Sequence, residues 1–121
     1  MSYKGKDITI ELSDDFRKAF KILYKKHRSL LHDLNQLIGS LKENPLQGVD
    51  LGGGLRKVRM AITSKGKGKS GGSRIITCTL LLDEDGKLFL FTIYDKADKE
   101  TISDSELRKL RENFEKEIGT K

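Results

Sequence analysis

The first readable pattern alternates every second residue. Ile8, Ile10 and Leu12 are separated by Thr9 and Glu11, which predicts a strand. Ser13 follows as a helix N-cap with Asp14 and Asp15 in the first turn, where the positive end of the helix favours acids. Phe16, Ala19, Phe20 and Leu23 then recur at three- and four-residue spacing, the apolar stripe of a helix. Ser29 restarts the signal, Leu31, Leu34, Ile38 and Leu41 make a second stripe, and Pro45 and Gly48 close it. Two helices on a short connection form a hairpin whose apolar side needs a sheet to cover.

After glycines 52–54 the period returns to two. Val58, Met60 and Ile62 should face the core, with Lys57, Arg59 and Ala61 turned the other way. Arg74 to Leu82 is a long β-rich run, which we take to end in a tight hairpin at Asp85-Gly86. Lys87 to Lys96 returns as a strand, with Phe89, Phe91 and Ile93 inward and Leu88, Leu90, Thr92, Tyr94 and Lys96 on the opposite face. Ser103 and Glu106 form a capping box, and Leu107, Leu110, Phe114 and Ile118 stripe the helix that follows. The expected order is βααβββα, an α+β fold in one domain spanning 1–121.

At 121 residues, 36% hydrophobic and 35% charged, the chain reads as a folded domain with one modest core. No apolar run approaches the roughly 20 residues of a bilayer span, and the N-terminus lacks the apolar segment of a secretory signal. The lone Cys78 cannot form an internal disulfide, so a reducing, cytoplasmic setting is expected. The net charge of +6 is concentrated. Residues 56 to 74 hold Arg56, Lys57, Arg59, Lys65, Lys67, Lys69 and Arg74 and no acid. The rest of the chain has 17 basic and 18 acidic residues, so this stretch carries the whole excess and points to a polyanion, most commonly nucleic acid.

The same stretch contains a literal G-x-G-x-x-G in Gly66, Gly68 and Gly71. A dinucleotide cradle needs a helix straight after such glycines, and here Ser-Arg-Ile-Ile-Thr-Cys-Thr is a strand signal. A P-loop ending in Gly68-Lys69-Ser70 would need glycine at position 63, which is threonine. What remains is a glycine-spaced basic arm. Extended, it would project Lys65, Lys67 and Lys69 from one side about 6.6 Å apart.

The element order and five words along it resemble the RelE/ParE family of bacterial toxin–antitoxin toxins, most closely its HigB-type branch. The words are NPLQG (44–48), GGLRKVRMA (53–61), GKGKSGGSRII (66–76), LFLFTIYDK (88–96) and SDSELRKL (103–110). The resemblance implies a βααβββ fold whose concave sheet face binds nucleic acid. It also implies a toxin that enters the ribosomal A site and cuts mRNA until an antitoxin, here expected to be of helix-turn-helix type, holds it inactive. No membrane, metal or small-molecule cofactor is expected. Two positions depart from the family pattern: Ser73 stands where an aromatic is common, and Asp95 replaces a glycine. Asp95 is expected to place a phosphate-repelling carboxylate beside the site.

RNA cleavage by its own 2′-OH needs a base, cations for the crowded phosphorane and an acid for the leaving oxygen. His27 and His32 sit on the helical hairpin and read as surface or capping residues, and Cys78 reads as a core thiol. Asp83, Glu84 and Asp85 read as turn residues. Arg59, Arg74, Tyr94 and Lys96 are therefore the candidate catalytic residues, with Arg56, Lys57, Lys65, Lys67 and Lys69 binding RNA. Crowding among the lysines would let one of them give up a proton and act as base. Arg74 shares strict alternation with Ile76 and Cys78, so a bulge at Gly71-Gly72 is expected to re-aim it. Two other readings share this sequence: a ParE-like gyrase poison, and a non-catalytic RNA-binding or antitoxin-binding module.

Overall fold

The computed structural model describes residues 7–119. Residues 1–6 and 120–121 of the expected 1–121 domain lie outside the described residues. Strand β1 (Thr9–Leu12) leads into helices α1 (Asp14–Tyr24) and α2 (Leu30–Glu43). Ser13 caps α1 as its position predicts. Its Oγ accepts the Phe16 amide at 3.1 Å and donates to the Phe91 carbonyl at 3.1 Å, so one hydroxyl starts the helix and pins it to the sheet.

Strands β2 (Val49–Gly52), β3 (Leu55–Met60), β4 (Ser73–Cys78) and β5 (Lys87–Asp95) complete a five-stranded sheet of order β1-β5-β4-β3-β2. Among the described residues only β1 and β5 run parallel. The helical hairpin covers one face. Helix α4 (Asp104–Gly119) lies on the other, where Phe114 packs edge-on to Phe89 at 4.7 Å and tilted on Phe91 at 4.8 Å. Its capping box is present: the Glu106 amide donates to Ser103 Oγ, and the Ser103 amide donates to Glu106 Oε1.

Both faces of the sheet are therefore cores, and the expected inward and outward sets of β5 do not hold. Ile76 pairs with Thr92 but Thr77 pairs with Leu90, which leaves Phe91 as an extra residue on β5. Leu88 and Leu90 join Val58, Met60, Ile62 and Ile75 under the helical hairpin. Phe89 and Phe91 join Leu55, Ile76 and Cys78 under α4. Past the bulge Ile93 faces the hairpin and Tyr94 faces α4. A strand buried on both sides has no polar face to betray its register.

The tight hairpin at Asp85-Gly86 is also replaced. Strand β4 stops at Cys78, the Thr79 amide turns to the Gly54 carbonyl at 2.8 Å, and a one-turn helix α3 (Leu82–Asp85) follows. Gly86 closes α3 at φ +64°, donating its amide to Leu82 O. The left-handed glycine was legible, and it caps a helix in place of a two-residue turn. No helix among the described residues is long and apolar enough to cross a membrane.

Candidate nucleic-acid interface

Three strands align a row of candidate site side chains. Arg59 of β3 pairs with Arg74 of β4, which pairs with Tyr94 of β5. The next row toward α4 is Lys57, Ile76 and Thr92. Pairing runs regularly from Ser73 to Ile76, so there is no re-aiming bulge at Gly71-Gly72. Simple alternation puts Arg74 with Ile76 and Cys78, and that face carries α4, not the helical hairpin. Two arginines directly opposite on neighbouring strands repel each other, and an anion laid over them relieves that repulsion.

The two arginines are not equivalent. Arg59 is exposed and makes no ion pair among the described residues. Arg74 is only 5% exposed. Its Nη1 donates to Lys69 O at 3.0 Å and Ser73 O at 3.1 Å, and its Nη2 donates to Ser70 O at 3.1 Å. Burial plus three carbonyl acceptors make Arg74 the brace of the loop's returning limb, with no ion pair among the described residues.

Tyr94 is buried, and its phenol oxygen has no hydrogen-bond partner among the described residues. Burial pushes the phenol up; the Arg74 charge opposes the rise, and Glu106 adds to it. At neutral pH the group is a protonated donor. The ammonium of Lys99 lies 5.5 Å from the Tyr94 ring centroid and is ion-paired to Glu106 at the start of α4. Lys99 was not found from sequence, and Glu106 was found only as a capping residue, because six intervening residues and a helix start hide their proximity. Lys96, two positions after Tyr94, is half-exposed, and its amide extends the β4 pairing by donating to Gly72 O at 3.0 Å.

The basic stretch does not form one surface. Arg56 alternates to the hairpin face, where Nε donates to Gln47 O and Nη2 to Gly48 O, with Asp50 3.8 Å away. Lys65 ends a 3₁₀ turn over Thr63–Lys65 and binds Asp95 Oδ1 at 2.7 Å. Both were expected to bind RNA, and both are held by the chain's own acceptors. Lys57, Arg59, Lys67, Lys69 and Lys96 have no ion pair among the described residues.

Asp95 lies away from the row it was expected to burden. It follows Tyr94 and so points to the opposite face, paired across the sheet with Ser73. Burial opposes its ionisation. Hydrogen bonds from Lys65 and the Ala97 amide, the Lys65 charge and a bond from His27 outweigh burial and hold the carboxyl below the usual carboxylate range. His27 is thus no bystander on the hairpin: its Nε2 lies 3.1 Å from Asp95 Oδ2. His32 is exposed beside Gln36. Ser73 is fully buried and donates to Met60 O, locking β4 to β3 where an aromatic would not fit without rearrangement. Cys78 is a buried free thiol that burial pushes up.

Comparison with known proteins agrees with this fold. The sequence model of the family described as "RelE toxin of RelE / RelB toxin-antitoxin system" matches residues 16–118. Among solved structures, a double-arginine mutant of the E. coli toxin RelE in the free state is similar in fold, with a TM-score of 0.54 at 14% sequence identity. That similarity covers 83% of this chain and 90% of the other.

Proposed function

The chain belongs to the RelE toxin family, and from that premise we propose that it acts as a ribosome-dependent mRNA endonuclease, the toxin of a type II toxin–antitoxin module in the cytoplasm. One observation carries the reading: a protonated Tyr94 phenol in register with two arginines, the phenol without a hydrogen-bond partner and the arginines without an ion pair among the described residues.

The reaction is attack of a 2′-OH on the adjacent phosphate, which closes a cyclic phosphate and frees a 5′-hydroxyl. Arg59 meets the phosphate as its negative charge grows, with Arg74 adding its field from below. Tyr94, whose phenol oxygen is buried in the free protein, gives its proton to the departing 5′-oxygen once RNA binding uncovers it. Lys57, half-exposed on the same face one row away, is the lysine best placed to receive the 2′-OH proton, after its ammonium has first released its own proton to solvent. Lys67, Lys69 and Lys96 follow the RNA backbone. The HigB-type branch and a helix-turn-helix antitoxin remain part of this proposal, supported by the five sequence words.

A cell-free translation reaction tests it. Added protein should produce new mRNA 5′ ends at codon spacing, only when ribosomes are present, and Arg59→Ala should abolish them. Loss of gyrase supercoiling without new ends would instead identify a ParE-like gyrase poison. RNA binding with neither effect would leave a non-catalytic module.

A further inference from the structure

We infer that Asp95 is a positioning residue that sorts the loop's cations: it draws Lys65 to the helical-hairpin face, so that from the loop only Lys67 and Lys69 meet RNA. This deepens the RNA reading above and rests on it.

The ascending limb of the loop is held one residue at a time. Asp33 of α2, 6% exposed, accepts the Thr63 amide at 2.9 Å and the Thr63 hydroxyl. Ser29 Oγ accepts the Ser64 amide at 2.9 Å and donates to Asp33 at 2.9 Å. Asp95, also 6% exposed, takes the Lys65 ammonium at 2.7 Å. The descending limb is held by Arg74 on the carbonyls of Lys69 and Ser70. Between these fixed limbs the chain reverses at Gly66 (φ +70°) and Gly68 (φ +68°), conformations that disfavour a side chain.

The Lys65 side chain is 13% exposed. It cannot reach an RNA phosphate on the α4 face while keeping its partner on the other. Asp95 therefore subtracts one cation from the interface and spends it on loop order. A loop whose ends are already fixed gives up less conformational freedom when RNA binds. His27 on the second carboxylate oxygen and the Ala97 amide on the first keep the Asp95 head from turning.

The test uses the full chain with two readouts. In amide hydrogen exchange, Lys65 and Gly66, bonded to Ile62 O and Thr63 O, should exchange on the order of tenfold faster in both Asp95→Asn and Lys65→Met. The second readout is the salt dependence of binding to a mixed-sequence single-stranded RNA oligomer. Each phosphate contact contributes about 0.7 to the log–log slope. Lys65→Met should keep the wild-type slope, Lys67→Met and Lys69→Met should each lower it by about 0.7, and Asp95→Asn should raise it by about 0.7 as Lys65 is released.

A slope lowered in Lys65→Met as much as in Lys67→Met would overturn the inference, as would unchanged exchange in both tether variants. Wild-type protein whose RNA binding ignores salt would refute the RNA reading, while exchange would still decide the tether. Should Asp95→Asn fail to fold, Lys65→Met breaks the same ion pair and carries both readouts.

Discussion

Replacing Tyr94 with phenylalanine removes one oxygen atom and should move stability and activity in opposite directions. The phenol oxygen is buried without a partner among the described residues, and an unsatisfied buried hydroxyl costs about 1–3 kcal/mol. The ring keeps its contacts beneath α4 and its place under the Lys99 ammonium. Tyr94→Phe should therefore stabilise the fold by about 1 kcal/mol, which for a domain of this size raises Tm by about 3–5 °C. The same oxygen is the proposed acid, and loss of a positioned acid costs about 10²–10⁴ in rate. Thermal unfolding and timed mapping of mRNA ends, run on one preparation, check both signs together. Cleavage within a factor of about two of wild type would remove Tyr94 from the chemistry. A variant less stable than wild type would show that the hydroxyl has a partner in solution and that the accounting above is wrong.

Other expectations follow from single contacts. Phe114→Ala empties the space against Phe89 and Phe91 and should cost about 3–5 kcal/mol in urea unfolding. Gly72→Ala would drive a Cβ into the Met60 carbonyl and to 2.9 Å from Ala61 Cα; with only backbone in the way, the loss should be about 1–3 kcal/mol, read as a lower urea midpoint. The Asp95 carboxyl is held below the usual carboxylate range, so its contribution is full above its unfolded pKa of about 3.9 and fades as pH falls through the lower folded value. Unfolding between pH 6 and pH 2 should show that loss at the acid end, and Asp95→Asn should show less of it.

What was legible in the chain was what short-range chemistry decides. Ser13 as cap, the Ser103–Glu106 box and the two-residue period of Val58, Met60 and Ile62 depend on neighbours a few positions away, and all are found. The bulge at Phe91 was hidden because it exists only relative to β4, and because Leu88, Phe89, Leu90 and Phe91 are apolar on both faces. That hidden step decides which way Tyr94 and Asp95 point, and with them the composition of the site. The charge run in residues 56 to 74 was visible, but its division was not: Arg56 and Lys65 are claimed by Gly48 and Asp95, acceptors fixed by the tertiary fold. Arg74 was singled out with the wrong geometry. Its alternation is regular, and the face it shares with Ile76 is roofed by α4.

The most direct test of the central claim is where RNA touches the protein. Wild-type protein bound to ribosomes translating an mRNA that carries photoreactive uridines should cross-link through Lys57, Arg59, Lys67 or Lys69, on the α4 face of the sheet and the adjoining loop. Cross-links confined to the helical-hairpin face, at Arg28, His32 or Lys42, would contradict it.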